Sequence, residues 1–221
     1  AEEAGHLTRV LRLGVGDTVS VFDGRGAEYL AQVVRVAQGR VVVQSYRAVV
    51  PTPEPAVALT VAQSLLKGRK FDEVIRDVTM VGVAAVQPLL SARTEVRPCN
   101  TERWRRVAIA SAKQCRRAIV PDIMVPRSFN TLLNEDSARM RLILVEPEMG
   151  DTVGTLRDLP DRPLPQAATL AIGPEGGWTA EEVAAATGAG FVPITFGHRT
   201  LRAEAVVVCA VSVLQYIWGD L

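Results

Sequence analysis

The apolar pattern of the chain changes period at one point, and that change constrains the fold more than anything else in the sequence. Before it, Thr18-Val19-Ser20-Val21-Phe22-Asp23 alternates and stops at the turn signal Asp23-Gly24. Tyr29 to Val36 and Arg40 to Tyr46 continue the alternation on either side of Gln38-Gly39. This predicts a small antiparallel β unit with no helical period after the opening turn. Val50-Pro51-Thr52-Pro53-Glu54-Pro55 follows, and its alternating prolines hold an extended, semi-rigid connection. A domain boundary is expected there, giving residues 1–55 and 56–221.

Beyond the prolines, strands and helices alternate. Ala56 to Ala62, Val83 to Leu90, Leu142 to Val145, Ala168 to Ile172 and Phe191 to Thr195 are apolar runs of the kind covered on both faces. Phe71, Val74, Ile75, Val78 and Val81 recur at helical spacing. Glu102 to Arg117, Glu181 to Ala186 and the apolar Ala203 to Trp218 also read as helices. Such alternation implies an α/β domain on a largely parallel sheet. The last helix is apolar nearly all round, so it must be covered; residues beyond one stripe are expected to face a partner subunit.

Composition excludes several classes. With 48% hydrophobic and 22% charged residues, the 221-residue chain has a core to bury and is not disordered. No apolar run spans a bilayer, and Ala1-Glu2-Glu3-Ala4-Gly5 lacks the pattern of a signal peptide. A soluble, cytoplasmic protein without membrane partners is expected. Cys99, Cys115 and Cys209 are too far apart for a zinc site, and His6 and His198 too isolated for a metal cluster, so no metal is expected. Charge is uneven. Residues 56–135 carry thirteen basic and seven acidic side chains, whereas residues 136–221 carry six and eleven. The middle of the chain is therefore a basic zone suited to phosphate.

Two turns carry the candidate chemistry. Thr169-Leu170-Ala171-Ile172 runs into Gly173-Pro174-Glu175-Gly176-Gly177, and Trp178-Thr179-Ala180-Glu181-Glu182 opens a helix. Thr179 and Glu182 have the spacing of a capping box. Glycines at the carboxyl end of a strand let the backbone approach a ligand. The loop matches neither common phosphate-binding pattern, and a proline beside a carboxylate favours a neutral or cationic ligand over polyphosphate. A tight turn with no ligand fits the same pentapeptide. Phe196 to Ala205 forms the second turn, with Arg202 and Glu204 at the start of an apolar helix. Ionised groups there are costly unless paired or used, although Glu204 also suits an ordinary helix start.

Taken in order, these residues resemble the RsmE family of the SPOUT superfamily. The resemblance is carried by Gly173 to Gly177 with Trp178, and by Leu201-Arg202-x-Glu204-Ala205 before a terminal helix. His6-Leu7-x-Arg9-Val10-Leu11-Arg12 with Gly16-Asp17, Lys67-Gly68-Arg69-Lys70, Ser91-Ala92-Arg93 and Ala112-Lys113-Gln114-Cys115-Arg116-Arg117 agree with it. The chain departs from the family at Arg76 to Val83 and at Ala203, and begins after the point where the family's first strand would stand.

The resemblance implies a trefoil-knotted α/β methyltransferase domain at 56–221, preceded by a PUA-like, RNA-binding β-barrel domain at 1–55. It implies S-adenosylmethionine as cofactor, 16S ribosomal RNA or the small ribosomal subunit as partner, methylation of a uridine at N3, and a homodimer. Arg202 and Glu204 are then the expected catalytic residues. The expected cofactor-binding residues are Leu144, Ile172, Gly173, Pro174, Glu175, Gly176, Gly177, Phe196, Gly197, Leu201, Arg202 and Ala205. RNA contacts are expected from Arg93, Arg103, Arg105, Arg106, Lys113, Arg116 and Arg117, with Arg9 and Arg12 extending the track; Lys113, Arg116 and Arg117 are expected to share one helix face or its flank. Two other readings fit the same residues: methylation of another RNA or of a ribose 2′-hydroxyl, and a non-catalytic RNA-binding adaptor.

Overall fold

The computed structural model describes residues 2–95, 98–147, 153–159 and 163–221. Two compact units form, Ala1–Pro53 with Arg116–Ile119 and Glu54–Cys115 with Val120–Leu221. In the first, β1 (Thr18–Phe22), β2 (Glu28–Ala37) and β3 (Arg40–Val49) make an antiparallel sheet in that order. Alternation turns Val19, Ala31 and Val33 inward, where Leu7 and Leu13 pack on them. The opening turn is a short helix α1 (Glu2–Gly5) continued by a π-helical turn, His6–Val10.

Residues 116–119 correct the expected helix limits. The helix anticipated to Arg117 ends at Cys115, because Arg116 takes φ +63° and breaks it. Ala118 then accepts a hydrogen bond from the Gly26 amide at 3.1 Å, and Ile119 bridges to Gly24. This short segment belongs with the first unit although it lies far beyond the proline connection.

The second unit holds strands β4 (Ala58–Ser64), β5 (Ala85–Leu90), β6 (Asp122–Ile123), β7 (Arg127–Ser128), β8 (Met140–Leu144), β9 (Gly154–Thr155), β10 (Ala167–Ile172) and β11 (Val192–Thr195). Its sheet order is β6-β5-β4-β10-β8-β11-β9, with β7 also on β5, and every one of these pairings is parallel. Both faces are covered, which explains the continuous apolar runs. Val61, Val86, Leu142, Leu144, Leu170 and Ile172 face one layer, formed by α2 (Lys70–Met80), α3 (Thr101–Cys115) and α6 (Ala203–Trp218). Ala62, Leu89, Ile143 and Ala171 face the other, with α4 (Phe129–Glu135) and α5 (Ala180–Gly188). Helix α4 was not expected; Ser128 caps it by accepting a hydrogen bond from the Thr131 amide at 3.1 Å.

Candidate functional site

Strands β8, β10 and β11 are parallel neighbours, so their carboxyl ends open on one side of the sheet. The two turns read from the sequence leave β10 and β11 there. Between them lies a cleft of about 370 Å³. Lys70, Leu144, Glu146, Gly173, Pro174, Glu175, Gly177, Phe196, Leu201, Arg202 and Glu204 are among its lining residues.

The glycine loop is fixed on three sides. The Gly177 amide donates to the Pro174 carbonyl at 2.9 Å, and Gly177 adopts φ +67°. That left-handed conformation favours glycine, and a Cβ there would also meet the Glu146 carboxylate and oblige that side chain to move. Trp178 donates its indole N–H to the Leu144 carbonyl at 3.0 Å and stacks on Phe129 at 4.5 Å, tying the loop to the end of β8. From beneath, the fully buried Gln63 side chain donates to the Gly173 carbonyl at 2.9 Å. The capping box is present: Thr179 Oγ1 accepts from the Glu182 amide at 3.2 Å, and Glu182 Oε2 accepts from the Thr179 amide at 2.9 Å.

Lys70 joins the two turns. Its ammonium lies 3.4 Å from Glu175 Oε1 and 3.2 Å from Glu204 Oε1. Its hydrogen bond to Glu204 raises the ammonium above the ordinary lysine value, and the charges of both carboxylates add to this. Burial opposes ionisation of Glu175. The Lys67 amide, at 3.0 Å, its own amide and Lys70 outweigh that and hold the carboxyl below its ordinary value. Glu204 Oε2 is buried and has no donor among the described residues. A buried carboxylate oxygen without a donor suits a ligand that brings one, such as a hydroxyl or amine. The partner of Glu204 is Lys70 rather than Arg202. Arg202 stands at the N-cap of α6, exposed on the cleft and without an ion pair among the described residues.

Four of the expected cofactor residues do not line this cleft. Ile172 is buried in the sheet, Gly176 turns away against Arg93, and Gly197 and Ala205 are exposed. The basic residues also separate. Arg93 braces the glycine loop, donating to the Gly176 and Trp178 carbonyls at 2.6 and 3.3 Å. Arg103 pairs with Asp72, and Arg106 with Glu102 at 3.3 Å; Arg105 is exposed and Lys113 half-buried. Arg103, Arg106 and Lys113 recur along one side of α3. Arg116 and Arg117 leave that helix. Arg117 is 6% exposed and so presents little surface to a phosphate. In the first unit Arg9 and Arg12 are exposed.

Two family models match the chain. One described as an RNA methyltransferase domain covers residues 52–215, and one described as an RNA methyltransferase PUA domain covers residues 1–44. The chain is 35% identical to ribosomal RNA small subunit methyltransferase E of Synechocystis, over 94% of this chain and 68% of that protein. The chain belongs to the ribosomal RNA small subunit methyltransferase E family. Among solved structures, the family enzyme from Neisseria gonorrhoeae, bound to S-adenosylmethionine, superposes with a TM-score of 0.91 at 28% identity, covering 100% of this chain and 91% of that one. A methyltransferase from Legionella pneumophila, also bound to that cofactor, gives 0.89 at 30% identity over 97% and 89%.

For this methyltransferase, sequence reasoning missed Lys70 and Gln63 as parts of the site. No local signal marked them: Gln63 lies at the carboxyl end of the strand Ala58–Ser64 and Lys70 just beyond it, and only the parallel pairing of that strand with Ala167–Ile172 brings both to the glycine loop.

The charge bridge has a pH signature. Because the Glu175 carboxyl is depressed in the folded state, its contribution to stability is fully present above the ordinary value of 4.5 and is lost as pH falls through the lower folded value. Melting of the wild type and of Glu175→Gln from pH 7 to pH 3 should show a constant gap above about pH 5 that closes on acidification. A gap that widens at low pH would contradict the bridge.

Proposed function

We propose that the chain transfers a methyl group from S-adenosylmethionine to N3 of a uridine in 16S ribosomal RNA. The observation that carries this is the cleft formed by two strand-to-helix turns in a chain of this family. The residues fit the cofactor. Glycines bare the loop backbone to a ligand, and Glu175 and Glu204 suit one that carries positive charge and hydroxyl donors. The cofactor supplies a methyl group already activated as a sulfonium. The protein's part is to hold the reactants and exclude water. Glu204 positions the cofactor, and Lys70 fixes Glu204.

Arg202 lines the cleft as a cation without an ion pair among the described residues. It is assigned to the negative charge that develops on the uracil oxygens as N3 loses its proton. Arg103, Arg105, Arg106 and Lys113 are assigned to RNA phosphates, a role that makes binding depend on salt. The knotted threading and cytoplasmic action on ribosomal RNA belong to the same reading. So does a homodimer through the side of α6 that exposes Ala205, Cys209 and Tyr216 at spacings of four and seven.

Mass spectrometry of nucleosides from 16S RNA treated with protein and cofactor tests the reaction. N3-methyluridine is expected, with an RNA KM that rises with salt; a methylated ribose, or no product, would reject the assignment. Arg202→Ala should lower kcat by about 100-fold with cofactor affinity changed little, and near-normal turnover would remove Arg202 from its role. Sedimentation at micromolar concentration should give a dimer, and a monomer would rule out the α6 interface.

A further inference from the structure

The segment that leaves β5 packs behind the glycine loop, and local hydrogen bonds set its shape. The Thr94 amide donates to the Ser91 carbonyl at 3.0 Å, and the Ser91 amide donates to Thr94 Oγ1 at 3.1 Å. The two hydroxyls lie 2.7 Å apart. Ser91-Ala92-Arg93-Thr94 is thus a turn that holds itself together.

This turn is fastened to the loop and to the helix after it. Arg93 Nη1 donates to the Gly176 carbonyl at 2.6 Å and to the Trp178 carbonyl at 3.3 Å. The Ala92 amide donates to Glu182 Oε1 at 2.7 Å, while Glu182 Oε2 accepts from the Thr179 amide. One carboxylate therefore caps α5 and holds the turn. Lys67 adds a further tie: its ammonium lies 2.7 Å from Glu95 Oε1, and its amide donates to Glu175 Oε1 at 3.0 Å.

A peptide group is planar, so holding its carbonyl also fixes the N–H on its other side. The N–H groups beyond the Gly176 and Trp178 carbonyls belong to Gly177, which closes the loop onto Pro174, and Thr179, which opens α5. Arg93 acts on both of these peptides. Glycine resists being held in one conformation more than any other residue, so a loop with Gly173, Gly176 and Gly177 gains most from such a brace. A charged donor makes the stronger kind of bond to a carbonyl. Arg93 is exposed and does not line the cofactor cleft, so its effect on a bound cofactor passes through the loop.

We infer that Arg93 is a positioning residue for methyl transfer: it holds the glycine loop in the conformation that receives the cofactor, and it is not a contact for RNA phosphate. The inference rests on the methyltransferase reading and adds to it a residue outside the cleft. Gly176 gives an independent handle on the same contact. Its φ lies outside the left-handed region, so its backbone accepts alanine. A Cβ there would lie 3.3 Å from Arg93 Cδ and 3.4 Å from Arg93 Cβ. Gly176→Ala therefore pushes the arginine off its carbonyls without changing any charge.

Calorimetric titration of S-adenosylmethionine, and of a 16S RNA fragment at two salt concentrations, into the full chain tests this. Arg93→Ala should weaken the cofactor about tenfold, with RNA affinity and its salt dependence unchanged. Gly176→Ala should weaken the cofactor about threefold. It should cost nothing further in the Arg93→Ala background, because the two substitutions remove one contact. Melting curves identify a variant that fails to fold; if Arg93→Ala does, the loss in Gly176→Ala alone decides. Unchanged cofactor affinity in the folded variants, losses that multiply in the double variant, or RNA binding that weakens with a shallower salt slope in Arg93→Ala would overturn the inference. If the wild type binds no S-adenosylmethionine, the methyltransferase reading fails and this inference with it. If the wild type binds it and Arg93→Ala binds it equally well, only the role of Arg93 falls.

Discussion

Strand β10 is hydrogen-bonded in parallel to β4 on one side and β8 on the other, although β4 precedes it by more than a hundred residues. Parallel pairing puts the carboxyl ends of all three at the same edge of the sheet. The glycine loop that ends β10 is therefore met by groups from both neighbours: Gln63 from β4 and the Leu144 carbonyl from β8. Helix α2, which follows β4, brings Lys70 to the same edge. Without that register the loop would be an ordinary tight turn.

Charge then organises the edge. Two carboxylates from different turns, Glu175 and Glu204, would repel each other across the cleft, and Lys70 lies within 3.4 Å of both. The bridge leaves one Glu204 oxygen buried and without a donor among the described residues, which costs free energy until a ligand supplies one. A cleft built this way is pre-organised for a cationic, hydroxyl-bearing molecule rather than for polyphosphate.

Much of this was legible in the residues. The Thr179–Glu182 capping box, the continuous apolar strands and the Ala203–Trp218 helix follow directly from local pattern, because capping and burial are properties of short stretches. What was missed is non-local. Lys70 reads as one more basic residue at a helix start until the β4–β10 pairing places it between two acids. Arg93 and Arg117 count toward a basic zone in the sequence, yet one braces a loop and the other is buried. The break at Arg116 was hidden because nothing in an arginine announces a positive φ; the 116–119 segment is held by its contacts with the Gly24–Gly26 turn. The two-residue strands and α4 are too short to display a period.

The central claim is that the two turns act as the walls of one cofactor site, joined through Lys70. Amide hydrogen exchange of residues 173–177 and 201–206, with and without saturating S-adenosylmethionine, tests it most directly. Both segments should slow together when the cofactor is added. Protection confined to one segment, or absent from both, would contradict the account.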